Sequence, residues 1–197
     1  MDSVALKAEK AETRKTMRAR RDAVPEETRA DMSRLACANL VTHVPLEGAR
    51  IVGLFMPIQS EIDPTFLVPE LREKGLGLAL PVPIGRTGMM FRAYKEGAEL
   101  VDVGFGTRAA APGAPEVVPD LLVMPLLAFD GQCNRIGYGA GHYDRYISER
   151  ILSGGRPTLV GLAFSFQQLD KVPIGGYDLP LDIIVTDKDV IRAPMGD

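Results

Sequence analysis

Cysteine is scarce: Cys37 and Cys133 are the only two in 197 residues, and they stand far apart without metal-ligand spacing. That excludes a disulfide-stapled scaffold and a cysteine-rich zinc module, and makes a reducing cytoplasm the expected setting. No apolar run approaches the ~20 residues a membrane-spanning helix needs. The N-terminal segment has no apolar signal-peptide core, and although its basic residues would suit a transit peptide, Asp2, Glu9 and Glu12 oppose that reading. Net charge is small, -3 with a pI near 5.5, which argues against general nucleic-acid binding. Internal repeats are missing as well. So are two nucleotide-binding signatures: no Gly-Lys-Ser/Thr closes a Walker-type loop, and the glycines lack the two-residue gap of the dinucleotide fingerprint.

What is present suits one globular domain over residues 1–197, since 46% of the chain is hydrophobic. Helical signals come first and strands alternate with helices afterwards, an α/β order. The first helix is predicted over Ser3 to Ala23. The second opens at Pro25-Glu26-Glu27, with Met32, Leu35, Ala36, Leu40 and His43 at helical spacing and His43 packed on its own helix. A third starts at Asp63-Pro64 and ends near Gly75, kinked or shortened by Pro69. Strands are predicted at Arg50 to Phe55, Leu76 to Pro81, Met89 to Tyr94, Leu121 to Met124, Thr158 to Ala163 and Asp182 to Thr186. Several are continuously apolar, the mark of a mainly parallel sheet covered on both faces. The Ala-, Pro- and Gly-rich segment Gly104 to Pro119 is expected to be a surface loop or flap.

The chemistry concentrates after the strand at Leu121 to Met124, in a loop that leads into a helix from about Gly141 to Leu152. Gly137, Gly139 and Gly141 carry no Cβ, so their N–H groups can approach an anion closely, and Arg135 adds a planar charged fork. A strand end meeting a helix N-terminus favours a phosphate. The same glycines also suit a turn that merely joins strand to helix. In the first helix, at about 100° per residue, Lys7, Lys10, Arg14, Arg18 and Arg21 fall on a stripe roughly 80° wide beside an apolar edge of Leu6, Met17 and Val24. In isolation that stripe reads first as a solvated basic face; a triphosphate site nearby would reverse the reading.

Asp144 closes the glycine loop, and Asp178 and Asp182 flank Leu-Pro-Leu before the last predicted strand. Mg²⁺ takes one or two protein carboxylates and fills its octahedron with phosphate and water, so Asp144 and Asp178 suffice; each also fits a turn, cap or salt-bridge role. In Phe55-Met-Pro-Ile-Gln-Ser-Glu61, Glu61 can accept paired hydrogen bonds from a heterocycle with adjacent N–H donors, a pterin for instance, beside Met56 and Ile58. Alternatively Glu61 is an ordinary loop acid. Neither cysteine has a basic activator nearby in sequence.

Taken in order, these segments resemble the 5-formyltetrahydrofolate cyclo-ligase family over nearly the whole chain. Pro125-Leu-Leu-Ala-Phe-Asp130 followed by Asn134-Arg-Ile-Gly-Tyr-Gly-Ala-Gly-His-Tyr-Asp-Arg145 is similar to the family's nucleotide segment. Lys10-Ala-Glu-Thr-Arg14, Gln59-Ser-Glu61 and Val172-Pro173 through Asp178 and Asp182 match its N-terminal, folate-contacting and acidic C-terminal elements. The resemblance implies an α/β/α fold related to sugar-phosphate isomerases and CoA transferases, and an enzyme that uses ATP and Mg²⁺ to convert 5-formyltetrahydrofolate to 5,10-methenyltetrahydrofolate. It implies ATP contacts from Lys10, Arg14, Arg135, Ile136, Gly137, Tyr138, Gly139, Ala140, Gly141, His142 and Tyr143, with Arg135 catalytic. It implies folate contacts from Met56, Glu61 and the Tyr138 to His142 backbone, and Mg²⁺ at Asp144 and Asp178.

Four positions depart from the family pattern: His142 stands where a tyrosine is usual, Ala140 where glycine or lysine is usual, Gly104 to Pro112 matches poorly, and Gly175-Gly176 replaces an acidic stretch. A monomer acting on small molecules, with neither a nucleic-acid nor a membrane partner, is the expectation. The alternative is a noncatalytic sensor of a phosphorylated metabolite on the same type of sheet.

Overall fold

The computed structural model describes residues 3–194 apart from Phe105 and Tyr177. Helix α1 (Val4–Asp22) begins where the Ser3 hydroxyl accepts from Leu6 N at 3.1 Å, which satisfies one of the first turn's orphan donors. Helix α2 (Glu26–His43) follows Pro25 and sets Glu26 and Glu27 at the positive end of its dipole. Strand β1 (Ile51–Gly53) is shorter than the Arg50 to Phe55 run, although Leu54 N still reaches Ala79 O at 2.8 Å. The helix expected from Asp63 is divided. The Asp63 carboxylate caps a 3-10 turn at Pro64–Leu67 by accepting from Thr65 N at 2.8 Å, and α3 (Val68–Glu73) is a separate short helix with Pro69 in its first turn. Lacking an N–H, Pro69 cannot extend a helix that began at Pro64.

The remaining strands are β2 (Gly77–Ile84), β3 (Gly88–Ala93), β4 (Leu100–Asp102), β5 (Arg108–Ala110), β6 (Glu116–Val117), β7 (Leu121–Pro125), β8 (Ala128–Phe129) and β9 (Arg135–Ile136). Helix α4 (His142–Leu152), β10 (Thr158–Leu162), β11 (Ile183–Val185) and β12 (Val190–Arg192) complete the order. Two expectations are corrected here. The segment Gly104 to Pro119 holds β5 and β6, with Ala109 and Ala110 fully buried; alanines have little strand propensity, and tertiary pairing with β4 supplies what they lack. The loop expected between Met124 and Gly141 contains a β8–β9 hairpin, whose two-residue strands are too short to show alternation.

The main sheet runs β12-β11-β10-β7-β1-β2-β3-β6. Pairings from β11 through β2 are parallel and those at either end are antiparallel. Successive residues of β7 serve opposite faces: Leu121 and Val123 pack with Ala36, Leu40 and Leu71 of α2 and α3, whereas Leu122 and Met124 pack with Tyr146 and Ile147 of α4. This is the expected three-layer arrangement, and it explains why β7 is apolar throughout. Two residues of the predicted apolar face of α2 are corrected: Leu35 is 56% exposed, and His43 is exposed with its carbonyl accepting from Arg192 Nη2 at 2.7 Å. Among the described residues, no helix is long and apolar enough to cross a membrane.

From β1 the chain crosses through α3 to β2 on one side; from β7 it crosses through α4 to β10 on the other. The reversal lies between β1 and β7, where adjacent connections leave in opposite directions and open a crevice beyond the strands' carboxyl ends.

Candidate active site

A cavity of about 1150 Å³ occupies that crevice. Met56 follows β1, Pro81 and Pro83 belong to β2, and Pro125 ends β7; all four line it. Lys10, Arg14, Glu61, the run from Arg135 to Tyr143, Asp144 and Asp178 line it too. Every residue that the resemblance assigns to ATP, folate or Mg²⁺ therefore opens onto one space.

The glycine loop is built on the β8–β9 hairpin, and the hairpin on Asp130. That carboxylate, 2% exposed, accepts from Gln132 N at 3.0 Å, Asn134 N at 3.1 Å, Asn134 Nδ2 at 3.2 Å and Val172 N at 3.2 Å. In the sequence Asp130 stands out only as part of the motif before the glycines; the Asp-Gly pair after a strand is the local signal of its turn-building role. Beyond the hairpin, Arg135 is buried and donates from Nη2 to Asp144 Oδ1 at 2.7 Å. The Ile136 side chain packs with Met17, Ala128 and Val172 in a small satellite core. Gly139 has φ +102° and Gly141 φ +70°, conformations that side chains resist. A Cβ on Gly139 would stand 3.2 Å from the Arg14 guanidinium carbon, and Arg14 Nε donates to Gly137 O at 2.8 Å, so Arg14 is fastened against the loop. Gly141 caps α4, whose first turn holds His142, Tyr143 and Asp144. The arrangement presents loop N–H groups, a helix N-terminus and two guanidinium groups to one end of the cavity.

The basic stripe of α1 divides. Lys7, Lys10 and Arg14 line the cavity, but Arg18 is exposed, with its guanidinium 5.8 Å from the Tyr138 ring centroid, and Arg21 is 1% exposed beneath the loop. A helical wheel places all five on one side; only packing decides which end of that side meets the sheet. Lys10 Nζ lies 2.5 Å from Asp178 Oδ2, an oxygen that also accepts from Gly175 N at 2.5 Å. Asp182 is placed elsewhere: it accepts from Arg156 Nη2 at 2.7 Å and from Leu159 N at 2.8 Å, and is not among the cavity's lining residues.

Glu61 marks the other end. It is 8% exposed and accepts from Ile58 N at 2.9 Å and from the Tyr138 hydroxyl. The preceding turn depends on Gln59 at φ +52°, with Glu61 N returning to Ile58 O at 3.0 Å. Burial pushes the Glu61 carboxyl above its ordinary range, while the bonds from Tyr138 and Ile58 N and the charge of Arg21 oppose the rise. Burial, and next the charge of Glu61, also raises the phenols of Tyr138 and Tyr143. Half-buried Met56 supplies an apolar wall nearby.

Asp144 and Asp178 are separate carboxylates on one cavity, each paired with a cation, and no group of three or more His, Cys, Asp or Glu suited to a metal occurs among the described residues. Such a donor set fits Mg²⁺ that arrives with phosphate, not a metal caged by protein alone. The cysteines offer no nucleophile: burial, then a nearby aspartate, pushes the Cys37 thiol up to about 12 and the Cys133 thiol up to about 11.

The family model for 5-formyltetrahydrofolate cyclo-ligases matches residues 6–187. The 5-formyltetrahydrofolate cyclo-ligase of Escherichia coli K12 is 31% identical over 180 residues, covering 88% of this chain and 98% of that protein. The structure of 5,10-methenyltetrahydrofolate synthetase from Aquifex aeolicus superposes with a TM-score of 0.80 at 32% identity, covering 95% of this chain and 94% of that one. A 5,10-methenyltetrahydrofolate synthetase from Mycoplasma pneumoniae shares the fold, with a TM-score of 0.73 at 22% identity over 90% of this chain and 98% of that one.

Proposed function

The chain belongs to the 5-formyltetrahydrofolate cyclo-ligase family, and we propose that it uses ATP and Mg²⁺ to close 5-formyltetrahydrofolate to 5,10-methenyltetrahydrofolate, releasing ADP and phosphate. One observation carries this reading: a single cavity has a cationic, N–H-rich end suited to a triphosphate and a buried carboxylate, Glu61, suited to a pterin. A sensor of a phosphorylated metabolite would give Glu61 no task.

A formamide carbonyl is a poor electrophile, and its oxygen is a poor leaving group. Transfer of the γ-phosphoryl group to that oxygen makes it a phosphate ester. N10 then attacks the former formyl carbon and loses its proton, the ring closes, and the carbon–oxygen bond breaks to free phosphate. No covalent bond to the protein is required, so the side chains act by placement and by compensating charge.

Lys10, Arg14 and the backbone from Arg135 to Tyr143 bind ATP, and Arg135 acts catalytically by offsetting negative charge on the moving phosphoryl group. Lys10 and Arg135 are held in position beforehand by Asp178 and Asp144. Those two carboxylates would hold Mg²⁺, which when bound draws charge from the phosphate oxygens. Glu61 accepts from the pterin's adjacent N–H donors and Met56 contacts the ring face. The Tyr138 to His142 backbone would receive the formyl end of the folate, which must meet the phosphate there.

Purified protein mixed with MgATP and 5-formyltetrahydrofolate should generate the methenyl product's absorbance together with stoichiometric ADP. Product without ATP consumption, or no product at all, refutes the assignment.

A further inference from the structure

Arg21 is a cation enclosed by protein, 1% exposed, at the last turn of α1 and outside the cavity lining. Enclosing a guanidinium is unfavourable unless its hydrogen bonds are replaced, and here Nη2 has no partner among the described residues. An apolar side chain would avoid that penalty. The reason for a guanidinium lies in what its other arms hold.

Its Nε donates to Ser60 Oγ at 3.0 Å, and its Nη1 donates to the Tyr138 hydroxyl at 2.7 Å. Ser60 Oγ donates in turn to Asp22, and the Tyr138 hydroxyl donates to Glu61. The guanidinium carbon also sits 5.8 Å from the Tyr138 ring centroid. One planar group thereby ties three segments together: the end of α1, the Gln59-Ser-Glu61 turn and the glycine loop. Each tie reaches a residue beside a different end of the cavity. Ser60 immediately precedes Glu61, and Tyr138 lies between Gly137, whose carbonyl Arg14 holds, and Gly139, whose φ is +102°.

We infer that Arg21 is a positioning residue for folate recognition, acting through Tyr138 and Ser60 to hold Glu61 in place as an acceptor facing the pterin. The inference rests on the functional reading above, in which Glu61 receives the pterin's N–H donors. Tyr138 spends its single proton on Glu61, and it does so because Arg21 occupies the phenol's acceptor side; one hydrogen cannot serve both directions. Lysine carries the same charge but has no planar fork to reach Ser60 and Tyr138 together. The titratable and charged groups around Glu61 are Arg21 and Tyr138, with Tyr143 coupled to its charge and Asp22 one bond further away through Ser60.

Removing Arg21 should weaken 5-formyltetrahydrofolate while sparing ATP. For Arg21→Met, KM for the folate should rise roughly ten- to a hundredfold, the scale of a lost charge-assisted hydrogen-bond pair, with KM for ATP changed less than about threefold. Burial already raises the Glu61 carboxyl and Arg21 opposes the rise, so the acidic limb of kcat/KM for the folate should move to higher pH in the variant. Arg21→Lys should recover part of the pH limb but not the full affinity. Tyr138→Phe, which keeps the ring, should reproduce the folate defect and show little further loss when combined with Arg21→Met.

Direct titration of 5-formyltetrahydrofolate into wild-type protein and Glu61→Gln separates the two levels of inference. Wild-type binding that Glu61→Gln leaves intact overturns the placement of folate at Glu61. Binding that Glu61→Gln abolishes while Arg21→Met and Tyr138→Phe leave both affinity and pH limb unchanged overturns the role of Arg21 alone. Equal losses for ATP and folate in a folded Tyr138→Phe variant would make the network merely structural.

Discussion

Gly139→Ala tests whether the glycine loop is shaped by conformational necessity. At φ +102° an L-residue meets steric resistance worth at least about 1–2 kcal/mol. The new Cβ would also stand 3.2 Å from Arg14 Cζ and 3.4 Å from its Nη2. A flexible guanidinium can retreat from that contact, but retreat strains the 2.8 Å bond from Arg14 Nε to Gly137 O. A partly lost hydrogen bond of this kind adds about 1 kcal/mol, for a total of about 2–3 kcal/mol. A domain with about 5–15 kcal/mol of stability stays folded, and its Tm falls by about 4–12 °C. Because Arg14 is displaced, KM for ATP should rise about tenfold or more while KM for the folate changes little. Calorimetry and initial rates measure both. Gly113→Ala is the control: Gly113 has no positive φ and nothing within 4 Å of a built Cβ, so Tm should move by less than about 2 °C. A Gly139→Ala protein with wild-type Tm and wild-type KM for ATP would refute the account of the loop.

Glu61→Gln exchanges function for stability in a pH-dependent way. The folded carboxyl titrates above its unfolded counterpart because it is buried, so the folded state binds the proton more readily. Native stability from this group therefore falls as pH rises from the ordinary carboxylate range through the raised folded value, and the glutamine variant escapes that fall. Its Tm should match or exceed wild type at pH 8 and lose the advantage toward pH 4, with folate turnover abolished; a pH-independent Tm difference counts against a strained carboxylate. Asp144→Asn should raise the Mg²⁺ concentration for half-maximal rate by about tenfold or more, since even outer-shell changes cost ~10–100-fold, and an unchanged metal titration removes Asp144 from the site. Both thiols should resist alkylation in the native protein at pH 7.5 and react fully in denaturant, since burial holds them near 12 and 11 for Cys37 and Cys133; rapid native labelling of either contradicts its burial.

Much of this molecule is legible in its residues because local chemistry wrote it. Continuous apolar runs such as Leu121 to Met124 report a strand covered on both faces, and β7 divides its side chains between α2–α3 and α4 accordingly. Ser3, Pro25 and Asp63 report helix and turn starts because capping is decided within a few residues. Gly139 and Gly141 of the glycine loop are legible for the same reason: a positive φ is a local demand.

Other features were set by contacts far along the chain. Nothing in the order of Lys7, Lys10, Arg14, Arg18 and Arg21 distinguishes the three that line the cavity from the one that stays in water and the one that is enclosed. Helical periodicity fixes only their common side, whereas the docking of Met17 against Ala128, Ile136 and Val172 fixes depth. Strands β5 and β8 are illegible for a different reason: two or three residues carry no measurable period, and their hairpin partners β4 and β9, though near in sequence, decide them. Likewise Asp178 and Asp182 look alike four residues apart, yet one meets Lys10 and the other Arg156. Residue order alone specifies which residue types and which local geometries are available for phosphate and carboxylate chemistry. Which of them share a cavity is a matter of topology, because bringing Lys10, Glu61, Arg135 and Asp178 together depends on the strand order and on the reversal between β1 and β7.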